Sequence, residues 1–167
     1  ARLLSQTIAI HELEKEGERL AGLLFGKIPV VYSSLKNLPL ARNWKIKFNE
    51  TAKIPAFFNV FPELNHNEMT GFDFAPGTKA LSEHFHFVFL EDDSEDDPRI
   101  LRRMSVLQEL YIQRGLPVER IKIPGNNVWE KIFNTILIVD FVAYFLAKHY
   151  GVDPEQVPMV EEFKKLI

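Results

Sequence analysis

A segment between residues 49 and 68, rich in loop-forming residues, holds the side chains best suited to acid–base chemistry. Glu50 lies near its start, and the run Glu63–Glu68 places His66 between two carboxylates and two amides. Carboxylates and imidazoles are common general acids and bases, and such neighbours can fix an imidazole tautomer and move its pKa across neutrality. The same residues could instead cap a short helix over 62–69 and brace a neighbouring loop. Composition alone leaves both interpretations open.

Other polar residues could bind ions, but a structural role is favoured for each. Ser33 and Ser34 stand between a predicted strand and a predicted helix, where they could hold an anion but more commonly cap the helix. His84 and His86 are two positions apart on a strand and supply only two ligands on one side, so we expect no metal site. The acidic run at 91–97 lacks the turn glycine of a calcium-binding EF-hand loop, and we expect a solvated loop.

The composition excludes several classes of function. The chain has no cysteine, which removes thiolate catalysis, disulfides and Cys-ligated metals and fits a reducing compartment. Neither glycine-rich nucleotide motif, GxxxxGK[ST] or GxGxxG, occurs. The net charge of -3 leaves no excess of positive charge that could bind a nucleic-acid backbone. No charged-then-apolar leader precedes the first residues, so we expect no secretory signal. We therefore expect no cofactor, no nucleic-acid partner and no membrane partner.

Hydrophobic periodicity predicts strands that alternate with helices of ten or more residues. Such alternation indicates right-handed βα units in a mainly parallel sheet covered on both faces, which is a three-layer α/β/α sandwich in one domain over residues 1–167. Chemistry is then expected after the carboxyl ends of the strands, in the loops after Tyr32, Asn59 and Leu90 and before Val128. We predict helices over 8–25, 38–48, 62–69, 98–115, 128–150 and 159–167, and strands over 27–32, 53–59, 84–90 and 118–123.

The most apolar stretch is Ile132–Ala147. It carries Asn134, Thr135 and Asp140 and falls short of the ~20 clean apolar residues that a membrane span requires. We predict a buried helix that partly faces another subunit. The proline in the 53–59 strand predicts an edge or irregular position for that strand.

Several short motifs resemble, in the same order, those of the archaeal and bacterial bifunctional phosphoglucose/phosphomannose isomerases. They are Tyr32-Ser33-Ser34, Ala41-Arg42-Asn43-Trp44-Lys45, Phe48-Asn49-Glu50-Thr51-Ala52-Lys53, Glu63-Leu64-Asn65-His66-Asn67-Glu68, Pro98-Arg99-Ile100 and Gly151-Val152-Asp153-Pro154. The resemblance covers almost the whole chain but only the C-terminal half of those enzymes. It implies a flavodoxin-like sugar isomerase (SIS) domain whose N-terminal SIS partner, which supplies the phosphate loop, is absent from this chain.

The resemblance also implies a reaction and its residues. The family interconverts glucose 6-phosphate or mannose 6-phosphate with fructose 6-phosphate through a cis-enediolate, without a metal. By motif, Glu50 matches the base that moves a proton between C1 and C2, and Phe48, Phe57 and Phe58 could desolvate it. His66 matches the histidine that opens the sugar ring and that family members contribute from a neighbouring subunit.

A lysine in the terminal helix completes the implied set by assisting ring opening. The apolar spacing of Val160 and Phe163 favours Lys164 for this role, with Lys165 the alternative if the register slips by one residue. Family members often carry threonine in an Asp-Pro-x-Pro segment, whereas residues 153–158 here read Asp-Pro-Glu-Gln-Val-Pro. Isomerisation is therefore implied more firmly than use of both C2 epimers.

The resemblance leads us to expect a cytoplasmic homodimer that acts on a sugar phosphate. The competing hypothesis is a non-catalytic SIS-like module that binds a sugar phosphate or serves in dimerisation. In that case Glu50 and His66 would be inherited residues that no longer have a catalytic role.

Overall fold

The computed structural model describes residues 9–73 and 75–167. Ile8, the predicted start of the first helix, lies outside the described residues. The helices and strands follow the predicted alternation, apart from two short helices between the second and third strands. They are α1 (Ile10–Leu24), β1 (Ile28–Ser34), α2 (Leu38–Glu50), β2 (Phe57–Phe61), α3 (Glu68–Gly71), α4 (Lys79–Ser82), β3 (Phe85–Glu91), α5 (Pro98–Gln113), β4 (Val118–Lys122), α6 (Val128–Tyr150) and α7 (Pro158–Leu166).

The strands form one sheet in the order β2-β1-β3-β4, and every pair is parallel. This confirms the predicted α/β class. Strand β2 lies at an edge, as the proline within its predicted range indicated. In the parallel register Tyr32 of β1 lies between Asn59 of β2 and Phe89 of β3.

One face of the sheet is covered by α1, α2 and α6, whose apolar side chains share a single core cluster. Three contacts fix the way these helices pack. The indole of the fully buried Trp44 in α2 donates to the carbonyl oxygen of Thr135 in α6 over 3.1 Å. Gly17 in α1 lies so close to Phe141 of α6 that an added Cβ would collide with it. The hydroxyl of Tyr150 accepts from the N–H of Gly26 over 2.7 Å, which joins the C-terminal ends of α1 and α6.

The opposite face is covered by α5 and by the segment that follows β2. Its core is aromatic, with Tyr32, Phe87 and Phe89 from the sheet packed on Tyr111 of α5 and on Phe61. The strand predicted over 84–90 is confirmed as β3, whose side chains alternate: Phe87 and Phe89 enter this core and Val88 enters the other. The architecture is therefore the predicted three-layer sandwich.

The structure corrects three sequence predictions. Strand β2 begins at Phe57, not at residue 53, because residues 51–56 form the turn that follows α2. The helix predicted over 62–69 is split into a 3₁₀ turn at Glu63–Asn65 and the single-turn α3, and α4 was not predicted. The hydroxyl of Ser34 caps no helical N–H; it accepts from the N–H of Asn37, which itself precedes α2.

Helix α6 is long and apolar enough to cross a membrane by length and composition. Its buried apolar residues nevertheless pack against α1, α2 and the sheet, and its buried polar residues Glu130, Lys131 and Asn134 make hydrogen bonds with the chain beyond the strands. This is the pattern of a core helix, as the sequence predicted. Trp129, Phe133 and Tyr144 remain exposed on its outer side.

Candidate active site

Glu50 is the last residue of α2 and lies beside a tight turn. The chain reverses at Lys53, whose φ of 60° is the left-handed conformation that closes many helices. The N–H of Ile54 then returns to the carbonyl oxygen of Phe48 over 3.1 Å, and the amide of Asn49 donates to the carbonyl oxygen of Ile54 over 2.9 Å. Glu50 is consequently exposed at the rim of a rigid corner.

This corner forms one wall of a cleft with a volume of about 720 Å³, within the range of small-molecule sites. The opposite wall is formed by the chain after α6 and by the first turn of α7, from Val152 to Val160. The ammonium of Lys53 bridges the walls, since it donates to the carbonyl oxygen of Glu50 and, over 3.4 Å, to that of Pro154. The cleft therefore presents a carboxylate and an ammonium group above a mainly apolar floor.

The apolar lining does not come from the phenylalanines that the sequence suggested. Phe48 is fully buried on the inner face of α2. Neither Phe57 nor Phe58 lines the cleft, because both belong to β2 beyond the turn. The lining comes from two neighbours of Glu50 and from the distant segment instead. These residues are Ile54, Pro55, Val152, Val157, Met159 and Val160.

His66 lies at the other end of β2. Glu50 precedes this strand and His66 follows it, and the five residues of β2 alone span about 17 Å at ~3.3 Å each. His66 is exposed at the carboxyl edge of the sheet, and its neighbours Asn65 and Met69 line a groove of about 330 Å³ against α5. One chain therefore does not bring Glu50 and His66 together.

The carboxylates beside His66 do not act on its ring. Within residues 9–73 and 75–167, no hydrogen bond reaches the imidazole; Glu63 accepts from the amide of Asn67 over 3.0 Å, and Glu68 accepts from Tyr32 over 2.6 Å. Asn67 also caps α3 by accepting from the N–H of Glu68. These contacts are the capping and bracing that the sequence offered as one interpretation of the motif, and neither carboxylate is hydrogen-bonded to the His66 ring.

Lys164 lies on α7, whose first turn lines the cleft through Pro158, Met159 and Val160. It is four residues after Val160, so both side chains leave the helix on the same face. Its ammonium pairs with Glu161 over 2.8 Å, and both Lys164 and Lys165 are exposed. The apolar side chains of α7, among them Phe163, are exposed as well.

The carboxyl edge of β1 and β3, where chemistry was expected, is filled by buried polar side chains. The Asp92 carboxylate accepts from the ammonium of Lys131 over 2.8 and 2.9 Å, and Lys131 also donates to Ser94 over 2.6 Å. Asp96 accepts from the side-chain amide of Asn37 and from the N–H of Asp92. Burial alone would raise the pKa of Asp92, but the hydrogen bonds from Lys131 and Ser94 lower it overall.

This network corrects the interpretation of residues 91–97 as a solvated loop. Glu91, Asp92 and Asp96 are buried because Arg120, Lys131 and Asn37 supply partners for them. No local sequence pattern predicts this pairing, because each partner lies between 29 and 59 residues from its acidic residue in the chain. The contact of Lys53 with the Val152–Val160 segment likewise joins residues about 100 positions apart, and no local pattern predicts it.

Comparisons with known proteins place this fold and cleft in context. The family described as the bacterial phospho-glucose isomerase C-terminal SIS domain matches residues 13–167. A bifunctional phosphoglucose/phosphomannose isomerase of Aquifex aeolicus (strain VF5) is 30% identical over 93% of this chain and 47% of its own length. One from Thermoplasma volcanium is 34% identical over 99% of this chain and 51% of its own length.

The fold is shared more widely. A glucose-6-phosphate isomerase like protein from Thermus thermophilus superposes with a TM-score of 0.64 at 18% identity, covering 86% of this chain and 46% of that one. The present chain spans about half the length of the curated relatives that it matches. With the family match extending over nearly all described residues, the chain belongs to the bacterial phosphoglucose isomerase C-terminal SIS domain family.

Proposed function

We propose that this domain is the C-terminal half of a sugar-phosphate isomerase that interconverts glucose 6-phosphate, and also mannose 6-phosphate, with fructose 6-phosphate. The observation that carries the proposal is the position of Glu50 at the rim of a cleft large enough for a hexose phosphate. Membership of the family, and relatives named as isomerases of these sugars, support it.

In this mechanism Glu50 is the general base. Its carboxylate takes the proton from C2 of the open-chain aldose, which gives a cis-enediolate with its negative charge on O1, and a proton then moves from O2 to O1. The proton returned to C1, with the carbonyl reformed at C2, gives the ketose. General-base catalysis of this kind contributes roughly 10²- to 10⁴-fold to the rate. The mechanism requires no metal or cofactor, and the ammonium of Lys53 adds positive charge to the same wall.

Ring opening falls to His66 and to Lys164, with Lys165 the alternative to Lys164. Because Glu50 and His66 lie at opposite ends of β2, His66 must come from a second copy of the chain to reach the same sugar. The functional unit is therefore a homodimer. Trp129, Phe133 and Tyr144 on α6 offer apolar surface for such a contact. Light scattering should give a dimer mass; a monomer at every concentration would contradict a site shared between subunits.

The phosphate of the substrate is assigned to an N-terminal SIS half. The carboxyl edge of this sheet carries Asp92, Glu95 and Asp96, and its buried cation Lys131 is already paired. A phosphate would meet net negative charge there. Relatives about twice as long as this chain have room for a second domain of similar size. Such a metabolic isomerase is assigned to the cytoplasm, a reducing compartment that fits the absence of cysteine from these 167 residues.

The direct test is Glu50→Gln in the complete enzyme. The change preserves shape and removes the base, so both isomerisation and exchange of the C2 proton with solvent should fall by at least ~10²-fold. Glu18→Gln is the matched control, because Glu18 is an exposed glutamate on α1 remote from the cleft. Near-normal C2 exchange in Glu50→Gln would remove Glu50 from the mechanism. The alternative function, a non-catalytic sugar-phosphate-binding or dimerisation module, would be favoured if the wild-type enzyme itself showed neither isomerisation nor C2 exchange.

A further inference from the structure

The segment that carries His66 is fastened to the sheet through Glu68. The hydroxyl of Tyr32, whose side chain is fully buried, donates to one carboxylate oxygen of Glu68 over 2.6 Å. The side-chain amide of Asn59 donates to the other oxygen. Tyr32 and Asn59 are paired across β1 and β2, so one carboxylate spans two strands.

Each donor in this bridge is held in its orientation. The Asn59 amide is oriented because its oxygen accepts from the N–H of Val60 over 2.8 Å, which turns its NH₂ group toward Glu68. Tyr32 is packed between Phe87 and Phe89. Burial is the main cause that raises the pKa of Tyr32, and the nearby ionisable groups of Tyr111 and Glu68 raise it further. The hydroxyl of Tyr32 therefore keeps the proton that it donates.

The chain around His66 is then fixed on both sides. Leu64, two residues before it, is fully buried in the aromatic core, and Glu68, two residues after it, is held by the bridge. The N–H of His66 donates to the carbonyl oxygen of Glu63 over 3.0 Å within the 3₁₀ turn. His66 itself is exposed, so its backbone is placed by these anchors while its ring projects beyond the carboxyl end of β2.

We propose that Glu68 is a positioning residue for His66: its carboxylate, held by Tyr32 and Asn59, fixes the turn that presents the imidazole to the sugar of the partner's site. This inference rests on the proposed function, because it requires His66 to act in ring opening. A misplacement of about 1 Å can cost ~10²-fold in rate, so a bridge that fixes the turn matters although it touches no substrate.

The experiment separates ring opening from proton transfer. A four-carbon aldose 4-phosphate has no free hydroxyl that could close a five- or six-membered ring, yet it undergoes the same proton transfer at C2. Turnover of fructose 6-phosphate and C2 exchange of the tetrose phosphate are measured in the complete enzyme, with Tyr32→Phe and Glu68→Gln. Glu63→Gln is the control, since Glu63 is the other carboxylate of the motif and is exposed.

We expect Tyr32→Phe and Glu68→Gln to lower hexose turnover by roughly 10- to 10²-fold and to change tetrose exchange by less than about twofold. Glu63→Gln should leave both rates near those of the wild type. Glu68→Gln added to His66→Asn should cause no further loss. Equal losses on both substrates, or no loss on the hexose, would overturn the positioning role of Glu68. Glu50→Gln should lower both rates by at least ~10²-fold; if it lowers neither, Glu50 is not the base, whereas a wild-type enzyme without either activity would refute the proposed function.

Discussion

Gly17 and Gly22 lie on the same helix, and replacing each with alanine should have opposite effects on stability. At Gly22 an added Cβ meets no atom within 4 Å. At Gly17 it would collide with the Cβ of Phe141 and lie 3.1 Å from the backbone nitrogen of Val142. Carbon atoms in contact are normally separated by ~3.5–4.0 Å, so α1 and α6 would have to move apart or one of them would have to bend.

The magnitude follows from two contributions. Alanine in place of glycine inside a helix stabilises by ~1 kcal/mol, and both variants gain this amount. Only Gly17→Ala also incurs overpacking, which costs about 1–3 kcal/mol in a well-packed interface. We therefore expect Gly22→Ala to raise the free energy of unfolding by about 0.5–1 kcal/mol. Gly17→Ala should leave it unchanged or lower it by up to ~2 kcal/mol.

Urea unfolding of the two variants gives the comparison directly, because the shared helix-propensity gain cancels in the difference. That difference should be ~1–3 kcal/mol, or roughly 2–12 °C in Tm for a chain of this size. If Gly17→Ala proves as stable as Gly22→Ala, α1 and α6 do not approach as closely as described, and the explanation of Gly17 is wrong.

Three further predictions concern charge, pH and completeness. Lys131→Met leaves the Asp92 carboxylate buried without its cation, so the free energy of unfolding in urea should fall by about 3–5 kcal/mol. Burial lowers the pKa of His86 in the folded state. As the pH is lowered through the ordinary histidine pKa of ~6.5, this histidine takes up a proton in the unfolded chain before it does so in the folded chain. The free energy of unfolding should therefore decrease as the pH is lowered through that window. His86→Gln should flatten this slope, and the same change at exposed His84 should not. The isolated chain should unfold cooperatively yet isomerise fructose 6-phosphate orders of magnitude more slowly than the complete enzyme, because the phosphate handle is missing.

The sequence predicted elements well where local pattern and packing agree. Pro98 and Val128 open helices at the predicted residues, and Gly151, at a φ of 65°, closes α6 as expected. It failed around β2, where Phe57 is exposed at the start of a short edge strand and no clear alternation marks the boundary.

The candidate site was predictable only in part for a comparable reason. The corner that holds Glu50 is made by residues 48–54, which are local in sequence, but the strand predicted from residue 53 overlapped the turn. The opposite wall comes from Val152–Val160, about 100 residues later, and depends on how α6 crosses the sheet. The buried pairing of Asp92 with Lys131 likewise exists only in three dimensions, so an acidic run resembled a solvated loop.

The edge position of β2 has a consequence for handling the protein. Its Phe-Phe-Asn-Val-Phe sequence pairs with β1 on one side and carries no charge, which makes it the kind of segment that templates cross-β aggregation. Edge strand β4, by contrast, contains Glu119, Arg120 and Lys122. Pro55 and Pro62 bracket β2 and limit the length of any strand that could extend it. Refolding from denaturant should therefore compete with intermolecular strand pairing, and the yield of soluble protein should drop as the chain concentration rises.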